Sequence, residues 1–127
     1  MIHASITLLY GSLVLLLVGG LGARVSMMRG QKKTYIGDTP DNELQRAIRA
    51  HGNAVEYAPL QLILLLGLEM SGSGSMVLHC LGGAIVLVRL MHATGVITKS
   101  PLSTAAAGLN YLLCSGMGLY GLIVHFH

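Results

Sequence analysis

The stretch Arg46-Ala47-Ile48-Arg49-Ala50-His51-Gly52-Asn53-Ala54-Val55-Glu56-Tyr57-Ala58-Pro59 runs without a break into the apolar segment Leu62–Leu68. At a helical period of about 100° per residue, Arg49, Asn53 and Glu56 stand at i, i+4 and i+7 and share one stripe, with Gln45, Gly52 and Leu60 close beside it. A cation, an amide and a carboxylate thus line one face of a helix that is entering very apolar sequence. An ionised side chain there is costly unless it meets a partner or faces water. The rest of the chain has to supply that partner.

The surroundings are those of a membrane protein. Of 127 residues, 53% are hydrophobic and 10% charged, and the mean hydropathy is +0.67. An ordinary soluble chain is about 25% charged. Ile2–Ala23 is 22 residues without Asp, Glu, Lys or Arg, and one span needs about 20. Met70–Val88 and Leu102–His127 are equally free of these charges. A soluble bundle would need polar faces that these segments lack. The first segment has no basic n-region and no A-x-A-like cleavage site, so it reads as a mature span rather than a signal peptide. Cys80 and Cys114 fall inside the apolar segments and are not spaced as a disulfide framework or a metal site. Both read as buried apolar thiols.

Four spans follow in order within a single unit, residues 1–127. The first covers Ile2–Ala23 and ends at Arg24, before a polar connection, Arg24–Asp38. Thr39 reads as an N-cap with Pro40 at the first helical position and Asp41 and Glu43 in the first turn. The second helix therefore starts ahead of the bilayer, enters it near Arg49 and runs to about Met70, with a kink expected at Pro59. Ser71-Gly72-Ser73-Gly74-Ser75 is a tight turn. Span three is Met76–Gly95, Lys99-Ser100-Pro101 is the next turn, and span four is Ser103–Val124. All eight lysines and arginines lie in or beside the first and third connections. The positive-inside rule places those connections in the cytoplasm and both termini on the outer face.

Helices two and three are antiparallel neighbours across the short turn. Counting from it at about 1.5 Å per residue puts Glu56 roughly 24 Å and Arg89 roughly 22 Å along their helices, at one level. Asn53 and His92 fall one turn nearer the cytoplasm, and Arg49 nearer the interface. Each has a plain structural reading: a charge pair for Glu56 and Arg89, an interhelical hydrogen bond for Asn53, a headgroup anchor for Arg49 and a satisfied core histidine for His92. Their convergence favours a polar cavity that is net cationic, whose ligand carries carboxylates or phosphates. Glu69 reads as interfacial, His79 as bonded to a neighbouring helix, and Asn110 and Tyr111 as packing contacts within reach of the cavity.

The stretch Arg49–Pro59 resembles the second-helix signature of the MAPEG family, the membrane-associated proteins of eicosanoid and glutathione metabolism. That pattern is R-x-x-x-N-x-x-E-x-x-P, and Arg49, Asn53, Glu56 and Pro59 match it. Tyr57 matches the Tyr after the Glu in the leukotriene-synthase branch, and Arg89-x-x-His92 is similar to the family's third-helix R-x-x-[HQ] element. The run Arg49–Tyr57 also resembles the bacterial inner-membrane, YecN-like branch. The resemblance implies an all-α bundle of four transmembrane helices, assembled as a homotrimer. It implies glutathione bound between subunits by Arg49, Asn53, Glu56, Tyr57, Arg89 and His92. The implied chemistry is a glutathione transferase or peroxidase reaction, in which a thiolate attacks a lipophilic electrophile dissolved in the membrane lipid. No nucleic-acid partner and no metal are expected.

The chain departs from the pattern in one respect. Eicosanoid-synthesising members carry an arginine at the start of helix four to hold the thiolate, whereas Pro101–Leu113 has no cation, and Val96 replaces a Tyr that follows their third-helix element. Arg24 and Lys99 are the cations left to take that role. The alternative reading is a binding or scaffold protein that keeps the pocket without turnover. A small four-span drug exporter is disfavoured, because it needs an acidic residue in span one and this span has none.

Overall fold

The computed structural model describes residues 4–37 and 42–126 and consists of four helices: α1 (Ser5–Gln31), α2 (Asn42–Met70), α3 (Ser75–Thr98) and α4 (Leu102–Phe126). The N-cap reading at Thr39, Pro40 and Asp41 lies outside the described residues. Pro59 stands inside a continuous α2. By length and apolarity α1, α3 and α4 can each cross a membrane. The second helix is less apolar, because His51, Asn53 and Gln61 are spread along it together with Glu43, Arg46, Arg49, Glu56 and Glu69.

Helices α2 and α3 form the middle of the bundle. Each packs on α1 and on α4, while among the described residues the backbones of α1 and α4 do not approach each other closely. The central core draws on all four helices: Val14, Ala58, Leu65, Leu68, Leu78, Ile85 and Met117. On α2 the buried side is Leu44, Ala47, Ala50, Ala54, Ala58, Gln61, Leu65 and Leu68, a regular three- and four-residue spacing. Four alanines in this row let α1 and α3 approach closely.

The first helix is longer than its apolar span. It continues past Ala23 to Gln31, so half of the expected connection is helical. Outside hydrocarbon a helix needs only a stripe to bury, and Met28 supplies it by packing with Leu44, Ala47, Val25 and Ile48. Arg24 (3.8 Å) and Lys32 (4.0 Å) of this extension reach the Glu43 carboxylate of α2. The α1 extension and the start of α2 are thereby joined beyond the apolar core, at the cation-rich end of the bundle.

At the opposite end, Glu69 of α2 accepts hydrogen bonds from the backbone N–H groups of Ile6 (2.8 Å) and Thr7 (2.7 Å). These are free donors of the first turn of α1, and a carboxylate is the favoured acceptor there. Glu69 is therefore more than an interfacial residue; it completes another helix. His79 bonds to a neighbouring helix as expected, its Nδ1 lying 3.0 Å from the Tyr10 hydroxyl. The Tyr10 ring lies flat against Gly82, where an added β-carbon would be 2.1 Å from Tyr10 Cδ2. Only glycine fits there.

Candidate functional site: a buried arginine held by two amides

Arg89 is 1% exposed, at the centre of the contact between α2, α3 and α4. Its Nη1 donates to the Asn53 backbone carbonyl (3.2 Å) and to Asn53 Oδ1 (2.5 Å). Its Nη2 donates to Asn110 Oδ1 on α4. The guanidinium carbon stands 5.4 Å from the centre of the Tyr57 ring, a cation–π distance, and Tyr111 of α4 meets that ring edge-on at 6.3 Å. Gln61 Nε2 donates to the same Asn110 oxygen (3.1 Å) and to Cys114 Sγ (3.3 Å). On α2, Asn53, Tyr57 and Gln61 are spaced i, i+4 and i+8, so they stand above one another on a single face.

The expected pair of Glu56 and Arg89 is not formed. Among the described residues no carboxylate lies within ion-pair distance of Arg89, and Glu56 is exposed. The depth count is nearly right, since Asn53, one turn from Glu56, is at the level of Arg89. The rotation decides the partner. Glu56 lies two residues from both Ala54 and Ala58, which face the core, and a step of two turns a side chain to the far side of a helix. The charge of Arg89 is met by amide oxygens and an aromatic face instead. Amide acceptors meet its two terminal nitrogens without the cost of desolvating a second ion, while its buried Nε has no hydrogen-bond partner among the described residues.

The other expected site residues divide into four places. Arg49 and Glu56 share an exposed face of α2 with Leu60 (70% exposed) and Ile63 (66%). The Glu56 carboxylate folds back over Gly52 on its own helix, 4.0 Å from where a β-carbon would stand. His92 is half-buried one turn along α3 from Arg89, and its Nδ1 is buried without a hydrogen-bond partner. Arg24 is engaged with Glu43 beside a cavity of about 450 Å³ that is lined mainly by the α1 extension. Lys99 is exposed at the end of α3 in a left-handed conformation (φ 57°), its backbone N–H bonded to the Gly95 carbonyl. Neither cation reaches the Arg89 cluster within this subunit. Gln61 and Cys114, which the sequence reading left among apolar neighbours, belong to the cluster, and Asn110 is a principal acceptor rather than a packing contact.

The MAPEG family model matches residues 7–123, a range that holds Arg49, Asn53, Glu56, Tyr57, Arg89 and His92. The chain is 40% identical over 90 residues to the inner membrane protein YecN of Escherichia coli strain K12, a match covering 71% of this chain and 69% of that protein. YecN of Escherichia coli O6:H1 matches to the same extent. No solved structure matches significantly. The four-helix bundle, its apolar spans and the polar second helix agree with that likeness, and this integral membrane protein belongs to the MAPEG family.

Proposed function

We propose that the protein binds glutathione between the subunits of a homotrimer and activates its thiol toward lipophilic electrophiles. The observation that carries this reading is the division of the signature residues. The half-buried Asn53 and the buried Arg89 form one hydrogen-bonded node. Arg49 and Glu56 project from the adjoining face of α2 and have no hydrogen bond or ion pair among the described residues. A cation and a carboxylate two turns apart on one largely apolar helix face need partners from outside the subunit. Glutathione has two carboxylates for Arg49 and an ammonium group for Glu56, and a neighbouring copy of the chain would shield both from lipid.

In this role Asn53, Tyr57 and Arg89 form the rigid floor of the site and His92 flanks it. A thiol whose ordinary pKa is about 8.5 ionises more readily beside cations, and the thiolate then attacks an electrophile arriving from the bilayer. The start of α4 carries no cation, and Arg24 and Lys99 are occupied or remote in one subunit. That observation favours, as a second reading, a protein that binds glutathione without rapid turnover.

Titration calorimetry in detergent tests the binding step. Arg49→Ala is expected to weaken glutathione binding about ten- to a hundred-fold, the loss of one charge-assisted contact in a shielded site. Unchanged affinity would make Arg49 a headgroup anchor and end the assignment. A turnover assay with a lipophilic electrophile then separates the enzyme from the binding protein.

A further inference from the structure

A cavity of about 450 Å³ opens at the cation-rich end of α1, where the charge-free span stops at Ala23. Gly20, Ala23 and Met27 form its apolar side, and Arg24, Lys32 and Glu43 its charged side. Gly20 and Ala23 are exposed, and a β-carbon on Gly20 would meet nothing within 4 Å. Arg24 approaches Glu43 at 3.8 Å and Lys32 does so at 4.0 Å, both longer than a hydrogen bond. A guanidinium has five N–H donors and a carboxylate about four acceptor sites, so each can take a further partner. The same side of α1 continues along the apolar span. Leu9, Leu13, Leu16 and Gly20 stand at i, i+4, i+7 and i+11 and form one exposed stripe that leads to the cavity. From Leu9 to Gly20 it is about 16 Å long, the depth of one leaflet of hydrocarbon. Gly11, two and a half turns from Gly20 and so on the opposite side of α1, lines the groove shared with Pro59 and Leu62 of α2. A neighbour that covers Arg49 and Glu56 on α2 does not by that contact cover the stripe.

We propose that this cavity binds the headgroup of phosphatidylethanolamine, a phospholipid that carries a phosphate and a primary ammonium group. Arg24 and Lys32 take the phosphate, Glu43 takes the ammonium, and one acyl chain lies along Leu16, Leu13 and Leu9. The side chains of Arg24, Lys32 and Glu43 are 42%, 30% and 57% exposed, open enough for a headgroup to reach all three. Two cations answer the phosphate and one carboxylate answers the ammonium. A purely anionic headgroup sets like charge against Glu43, and the quaternary ammonium of phosphatidylcholine offers it no N–H. The stripe selects a lipid over a free phosphate ester, because it gives the acyl chain a bed continuous with the headgroup site. The contact is non-covalent and independent of glutathione.

Native mass spectrometry of the delipidated full chain in mild detergent tests it. Phosphatidylethanolamine, phosphatidylcholine and phosphatidylglycerol with the same acyl chains are added in turn, and bound lipid is counted across a concentration series. Phosphatidylethanolamine should bind about fivefold more tightly than either of the others, the effect of one half-exposed ion pair. Glu43→Gln should remove that preference, and Arg24→Gln should weaken all three lipids alike. Glycerophosphoethanolamine, the same headgroup without tails, should fail to displace the lipid at equal concentration. Equal binding of the three lipids, a preference for phosphatidylglycerol, or displacement by the soluble headgroup overturns the proposal, and these readings need no variant to fold. A preference that survives Glu43→Gln overturns it as well.

Discussion

Replacing Asn110 tests the central claim about the site, that amides rather than a carboxylate hold the buried arginine. Asn110 is 3% exposed, and its Oδ1 accepts from both Arg89 and Gln61. Asn110→Leu keeps roughly the volume and removes the acceptor. The bond to the guanidinium is worth about 1.5–3 kcal/mol and the amide bond about 1, so the predicted loss is about 2.5–4 kcal/mol. That is roughly two to three orders of magnitude in the folded-to-unfolded ratio. Asn110→Asp keeps the shape and both acceptor contacts and gives Arg89 a counter-charge, so it should stay far closer to the parent. SDS-titrated unfolding in mixed micelles, read by circular dichroism, measures all three proteins. If the leucine variant unfolds at the parent midpoint, or the aspartate variant is the less stable of the two, the network does not carry the fold as argued.

Three further predictions follow from the same contacts. Glu56→Ala is expected to leave the unfolding midpoint within about 0.5 kcal/mol of the parent, since Glu56 does not touch Arg89, while weakening glutathione binding in calorimetry; a large loss of stability would restore the ion pair. Gly82→Ala should cost about 1–3 kcal/mol by pushing the Tyr10 ring off α3, and adding Tyr10→Ala should cost less than the two changes summed. Glu69→Gln should speed hydrogen exchange at the Ile6 and Thr7 amides above all others in α1, and equal protection in parent and variant would show that the carboxylate does not cap the helix.

Much of this was legible in the residues, because charge-free length and the placement of arginines are one-dimensional signals. The four helices and the short α2–α3 turn need only counting, and the depth count comes within one turn of the true level by pairing Arg89 with Glu56 instead of Asn53. Rotation about a helix axis is harder to read. Arg49, Asn53 and Glu56 share a broad stripe, but Asn53 lies at its border with the core and Glu56 beyond it, so one is bonded and the other exposed. The alanines Ala50, Ala54 and Ala58 mark the true inward face, since small residues are where helices approach. The spacing Asn53, Tyr57, Gln61 would have exposed the missed glutamine, but Gln61 is followed at once by the apolar run from Leu62. Asn110 gave no such spacing, because both of its partners, Gln61 and Arg89, come from other helices. The helical extension beyond Ala23 was missed because charge ends a span without ending a helix.

The Glu69 carboxylate that closes the first turn of α1 stands 63 residues from Ile6 in the chain. During synthesis α1 emerges long before the residue that completes it. An isolated α1 can form inside the bilayer from its own backbone bonds, yet its first turn keeps free N–H groups until the end of α2 arrives. Tyr10 waits in the same way for Gly82 and His79 of α3. The first turns of α1 are thus completed only when α2 and α3 have joined it, although α1 precedes both in the chain.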